Sequence, residues 1–294
     1  RQQFSQALRR TPDAGGPSLE RLAADTTLHD KVEFAVGPTC VDPDWRRWDD
    51  RLADEGFVQA ERNELREALT GITLGAFERV ESDLALVAEL DRQCAALVAD
   101  ESDPLRRAAQ LLEITARLGT LPFAHLARSA FVAVSLLRGA QAQEIISADA
   151  VAGFLAGMRT AGHGLTEDAR AVANGKISWE QFLNRWGHLR PGTYEVTSSR
   201  YDADPERFLR PLVVSATSES VTGHDPDRAS WFAGRGAFFT ALERIGLPSD
   251  PDVVERFMRA AIEGREWSKL AFTRPLSDAI EDLVLGWEQR GGTR

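Results

Sequence analysis

From Gln59 to Asp100, about forty residues, apolar side chains recur at helical spacing: Leu65, Leu69 and Ile72 mark one face, and Leu84, Val87, Leu90, Cys94 and Leu97 continue it. A stripe of that period commits the segment to a long amphipathic helix, and the stripe needs other helices to cover it. Gly71 and Gly75 predict a bend or a break within it.

The flanking segments supply those helices. Ser102–Asp103–Pro104 reads as a cap with proline in the first turn, opening a helix that runs to Leu118 and ends at Gly119. Pro122 opens the next, through Phe131 and Leu137 to about Gly139. Ser147 caps Ala148–Arg159, Thr166 starts a helix ending at Asn174–Gly175, and Ser178 caps another. Arg228–Ile245 is helical, and a last helical region runs from Pro248–Pro251 to about Gln289, with a kink or break predicted near Arg274 by Pro275. Cys40–Gly56 reads as irregular or short-helical, with Trp45 and Trp48 at three-residue spacing.

Strand pattern is scarce. Val32, Phe34 and Val36 alternate with polar or small residues, and Thr193–Thr197 and Leu212–Ala216 are the candidate partners. The expected class is therefore mainly α, a single domain of roughly ten helices over 1–294 that allows a small two- or three-stranded sheet. Within it, 1–57 is the less regular part, 58–216 holds the central helices, and 228–290 the C-terminal ones. The chain enters helical pattern at Arg1 without a methionine and reads as a piece of a longer polypeptide.

With 294 residues, 43% of them hydrophobic, a sizeable core is available. The net charge of −10 argues against nucleic-acid binding by the chain as a whole. Cys40 and Cys94 form no disulfide framework or metal pair and fit a reducing, cytoplasmic compartment. No apolar run near 18 residues is evident, so no membrane partner is expected. The histidines show no metal-ligand spacing, and no phosphate-cradling glycine loop, serine elbow or Cys–His signature is present. His125, in an alanine-rich stretch, reads as a packed histidine, and His163 as a solvated one in a loop.

Two polar clusters stand out. The first is Trp179–Tyr201, WEQFLNRWGHLRPGTYEVTSSRY. Phe182, Leu183 and Trp186 fall at helical spacing, and Gly187 fits a left-handed C-cap. Beyond it come His188, Arg190, Tyr194, Glu195, Arg200 and Tyr201, including both tyrosines of the chain. These groups suit a polar ligand; equally, they suit a structural turn in which Arg190 and Glu195 pair. The second cluster is Arg265–Ser277, where Arg265 and Lys269 share a helix face and Arg274 follows. Three cations in an acidic chain suit an anion; the plain alternative is a solvated face paired with Glu263, Glu266 and Asp278.

At these clusters the chain resembles a known family. FLNRWGHLRPGTYEVTSSRYD and REWSKLAFTRPLSD are similar to segments of phosphoenolpyruvate synthase-like and rifampin phosphotransferase-like enzymes, of the PEP-utilising, pyruvate phosphate dikinase superfamily. LGTLPFAHLARSAF and LHDKVEF resemble further segments in the expected order, so the likeness spans about residues 28–285. Pro275 departs from the pattern, where relatives tend to carry a polar residue.

The resemblance implies a dikinase scheme, in which ATP phosphorylates a histidine on a swivelling domain and the histidine passes the group to an acceptor. It implies that this chain is the middle region, with an ATP-grasp domain and the phosphohistidine domain of the same polypeptide as partners. ATP and Mg are then expected in the full-length enzyme, with no cofactor in this chain, which would be inactive alone. By that likeness, contact with a small-molecule acceptor falls to His188, Arg190, Tyr194, Arg200, Tyr201, Arg265, Lys269 and Arg274, with Glu195 as general base. The alternative is a helical scaffold that docks the two other domains and binds nothing small. Under the acceptor reading both clusters face one concavity. Their positive charge would exceed what Glu195 and Glu266 neutralise, so that a bound anion completes the balance.

Overall fold

The computed structural model describes residues 37–98, 103–191, 197–218 and 228–292. Among them are α-helices, one π-helical segment and no strand. In chain order the helices are α1 (Trp45–Asp54), α2 (Gln59–Val98), α3 (Pro104–Ile114), α4 (Thr120–Ala142), α5 (Ala148–Ala156), α6 (Ala161–Ala173), α7 (Trp179–Trp186), α8 (Pro205–Phe208), α9 (Arg210–Ser218), α10 (Arg228–Arg244) and α11 (Pro251–Gln289). The mainly helical class expected from the sequence is thus the observed one. Of the three strand candidates, Leu212–Ala216 lies inside α9. Val32–Val36 and residues 193–196 of the candidate Thr193–Thr197 lie outside the described residues.

Several boundaries follow from local chemistry. Asp103 accepts a hydrogen bond from the Leu105 amide at the start of α3, with Pro104 in the first turn. Ser147 caps α5, and Ser178 with Gln181 forms a reciprocal capping box on α7. Other boundaries depart from expectation. α6 starts at Ala161, capped by Thr160, so Thr166 is interior and His163 is helical rather than in a loop. α5 ends at Ala156, three residues short of Arg159. α3 does not stop at Gly119; it passes through the π-helical turn Thr115–Gly119 directly into α4. A Cβ on Gly119 would sit 3.0 Å from both Leu90 Cδ2 and Phe272 Cδ2, so this glycine serves close helix approach rather than termination.

α2 is unbroken at Gly71 and Gly75. α11 also continues through Pro275, where a kink or break was expected. Proline removes one backbone donor there, but the turn is held from outside: Arg274 donates to the Arg185 carbonyl at 2.7 Å and Ser277 to the His188 carbonyl at 2.9 Å.

Packing falls into two compact units. Described residues up to Val80, with Arg128–Gly157 and the stretch to Arg259 that begins with α10, form one; Glu81–Ala127, Met158 to the end of α9, and Ala260 onward form the other. In the first, Val41, Trp45, Trp48, Leu52, Phe57, Leu65 and Leu69 make a buried cluster. Within Cys40–Gly56, Trp45–Asp54 is a short helix with a tryptophan face, α1, one of the two forms expected, and the residues on either side of it are turn or irregular chain. Phe154 packs on Trp231 with ring centroids 4.6 Å apart, joining α5 to α10, and the Trp231 indole donates to Glu255 on α11.

In the second unit, Ala169, Phe182, Trp186, Leu209 and Val213 bury themselves between α6, α7, α8 and α9. Full burial of a side chain such as Phe182 is worth about 2 kcal/mol, which outweighs the weak strand preference of Val213 and Val214 in α9. Arg107 on α3 makes a bidentate pair with Asp282 on α11. Pro104–Ala142 is, by length and composition, apolar enough to cross a membrane, with a mean hydropathy of 1.4 over its most apolar window; 44% of that window is buried within the protein. The absence of a membrane-length apolar segment expected from the sequence is to that extent corrected. Leu111, Leu126, Leu136 and Leu137 on this stretch are fully buried, as in the core helix of a bundle.

Candidate functional site

The two polar clusters lie in one unit, where the chain leaving α7 is laid along the second half of α11. α7 is amphipathic, and Phe182 and Trp186 anchor its buried face. Asp168 on α6 accepts from the Trp186 indole at 2.9 Å and from Arg185 at 2.9 Å, fixing the end of the helix.

Gly187 follows at φ −62, an ordinary right-handed conformation and not the left-handed cap expected. Its need for glycine is spatial. A Cβ there would lie 2.6 Å from the Leu183 carbonyl oxygen and 2.8 Å from Asp202 Cβ. Asp202 comes this close because the chain doubles back: the Tyr201 amide donates to the Leu189 carbonyl at 2.8 Å, and the Asp202 amide to the Gly187 carbonyl at 3.0 Å. Leu189 and Tyr201 are thereby joined at the base of the loop between them.

Both arginines of this loop turn to carboxylates on α11. Arg190 donates to Glu281 at 2.9 Å and to the Ser198 carbonyl. Arg200 donates to Asp278 at 2.8 Å and to both oxygens of Asp202. Burial works against the Arg200 charge, but its hydrogen bonds to Asp202 and Asp278 outweigh that and hold the guanidinium above its ordinary value. The expected surplus of positive charge is therefore corrected at these two positions. Their partners are Asp202, Asp278 and Glu281, which the sequence pattern did not nominate for them.

His188, next to the base of this loop, is buried, 5% exposed, and neither ring nitrogen makes a well-formed hydrogen bond. Desolvation pushes its pKa down to about 3, with Arg274 and Arg200 adding to the effect and the Arg185 backbone acting weakly against it. It is a neutral imidazole at pH 7, sealed from solvent rather than presented to a ligand. Tyr201 stacks on Phe208 at 5.2 Å. Tyr194 and Glu195 lie outside the described residues.

On α11, Arg265 is exposed and Lys269 half-buried, one helical turn apart. Among the described residues Lys269 has no ion-pair partner; of the three carboxylates proposed for this face, two are engaged elsewhere, Glu263 with the Arg159 amide and Asp278 with Arg200. Arg274 uses one nitrogen on the Arg185 carbonyl. The structure thus brings His188, Arg190, Arg200, Tyr201 and Arg274 to one seam, with Arg265 and Lys269 further along the same helix.

No group of three or more metal-ligating side chains occurs among the described residues. Cys40 and Cys94 are buried and free, and burial raises their thiols to about 12 and about 11, far from nucleophilic. Comparison with protein-family models, with curated proteins and with solved structures finds no match.

Proposed function

We propose that this chain is the acceptor-binding middle region of an ATP-dependent histidine-relay phosphotransferase similar to phosphoenolpyruvate synthase. One observation carries the reading. The two segments that resemble that family, residues 182–202 and 265–278, are far apart in sequence, yet they adjoin through Arg200–Asp278, Arg274–Arg185 and Ser277–His188.

In this reading the arginines have divided roles. Arg190 and Arg200 are neutralised in place and pin the loop base to α11, giving the site the rigid support that a binding constellation needs. The anion of the acceptor, or the incoming phosphoryl group, is held by Lys269 with Arg265 and Arg274. Tyr201 forms an aromatic wall, Tyr194 a further contact, and Glu195 takes the proton of the acceptor hydroxyl. ATP and Mg are handled by an ATP-grasp domain, and the phosphoryl group is delivered by a swivelling phosphohistidine domain, both in the same polypeptide.

The scaffold alternative is favoured by a different observation, the internal neutralisation of Arg190 and Arg200, which needs no ligand. One experiment separates the two. In the polypeptide encoded by the natural reading frame, Lys269→Ala slows phosphoryl transfer to acceptor at least about tenfold, the worth of one charge-assisted contact, and leaves ATP-dependent histidine labelling unchanged. Equal transfer rates in variant and wild type favour the scaffold.

A further inference from the structure

Of the three described histidines, His163 is exposed, His125 is partly exposed and only His188 is buried. Other buried polar side chains are tied down: Thr73 donates to the Leu69 carbonyl, Thr115 to the Leu111 carbonyl and Ser277 to the His188 carbonyl. The His188 ring has no such tie at either nitrogen. A polar ring held in the interior without hydrogen bonds is destabilising.

The charges that face this ring are cations. Arg274 approaches from α11 and Arg200 from the returning chain, and both oppose a charge on the imidazole. The carboxylates of the neighbourhood are committed to other groups. Asp202 and Asp278 hold Arg200, Glu281 holds Arg190, Asp168 holds Arg185, and Asp91 on α2 accepts from the Trp267 indole at 2.9 Å. A proton on the buried ring would make a further cation with no counter-ion, a strongly unfavourable arrangement. The ring therefore takes up a proton only where water reaches it.

The surrounding contacts show what gives way when it does. The His188 carbonyl accepts from Ser277 on α11 at 2.9 Å. On either side, the Gly187 and Leu189 carbonyls accept from the Asp202 and Tyr201 amides. These bonds lie outside the helix ladders, so they can open while α7 and α11 stay folded.

We propose that His188 is an acid-sensitive latch of the seam: on taking up a proton it turns to solvent and frees residues 187–190 and 200–202 from α11, with the helices still in place. Arg190 and Arg200 then exchange Glu281 and Asp278 for water. This inference concerns the seam itself and holds whether or not an acceptor binds there. The buried ring resists protonation down to about pH 3, and the freed ring binds a proton near 6.5. The opening constant therefore grows about 25-fold from pH 7 to pH 5.

The test is hydrogen–deuterium exchange of the full chain at pH 7 and pH 5, resolved by residue and corrected for the intrinsic pH dependence of exchange. The Tyr201 and Asp202 amides report the seam; those of Leu136 and Leu137, buried on α4, report wider unfolding. In the wild type, opening at Tyr201 and Asp202 rises about 25-fold and is insensitive to low urea, whereas Leu136 and Leu137 exchange faster as urea is added. In His188→Gln the seam amides show no such rise. A flat wild-type response, an equal rise in the variant, or seam amides that follow urea in step with Leu136 and Leu137 overturns the proposal. Should the variant fail to fold, the wild-type pH profile decides. A rise that sets in near pH 6.5 marks the histidine, and one that sets in only below about pH 5 belongs to carboxylates and rejects the latch.

Discussion

His188 gives this protein a calculable weakness to acid. Its imidazole is neutral when buried, with a pKa of about 3, against 6.5 when the chain unfolds. Between those values the unfolded state binds the proton and the folded state does not, so stability is full above about pH 6.5 and falls as pH drops. At pH 5 the loss relative to pH 7 is about 2 kcal/mol. A second buried group opposes it: burial raises Asp42 from 3.8 to about 6. There the folded state binds the extra proton, so stability is gained as pH falls through 6, by about 1.4 kcal/mol at pH 5. The raw pH profile of the wild type is therefore shallow, and the informative quantity is a difference. Urea denaturation of wild type and His188→Gln at pH 7 and pH 5 cancels the Asp42 contribution. The wild type should lose about 2 kcal/mol more than the variant over this interval. Parallel profiles would refute the account of a neutral, desolvated His188.

Four other outcomes follow from the packing. Gly187→Ala forces a Cβ against the Leu183 carbonyl and Asp202 and costs about 1–3 kcal/mol, measurable by urea denaturation. Gly264→Ala meets Leu84 Cδ2 at 2.7 Å and Leu126 Cδ2 at 3.3 Å, and the same assay should report a similar loss. Pro275→Ala restores a backbone donor inside α11 and should stabilise the chain by about 1–3 kcal/mol; a destabilised variant would mean that the helix needs its proline. Asp282→Ala removes the bidentate carboxylate partner of the half-buried Arg107, and a drop of about 2–3 kcal/mol is expected in thermal unfolding.

The helices were legible where their signals are local. The forty-residue stripe of α2, the serine caps of α5 and α7 and the Asp103–Pro104 start of α3 all act within a few residues of the feature they set. Where packing decides, local signals misled. Gly119 and Gly187 are glycines because a neighbour is close, not because the backbone turns left-handed. Pro275 sits inside a helix whose own flanking side chains, Arg274 and Ser277, are tied to backbone carbonyls of the adjoining turn, and Leu212–Ala216 is helical because Val213 fills a core. The residues at the seam were found from their polar character. Their partners were not, because Arg200–Asp278 and Arg190–Glu281 span 78 and 91 residues. A faint cue was present in the spacing of Asp278 and Glu281, three apart and so on one face of α11.

The acceptor-site reading is tested most directly by following a phosphoryl group through the polypeptide of the natural reading frame. The protein is charged with ATP labelled at the β-phosphate, and acid-labile label is measured before and after addition of pyruvate, sugars or a hydroxylated polyketide antibiotic. The reading predicts that wild type and Lys269→Ala are labelled equally, that one acceptor class discharges the wild type, and that the variant discharges at least about tenfold more slowly. Absence of label in the wild type, or discharge of the variant at the wild-type rate, would contradict it.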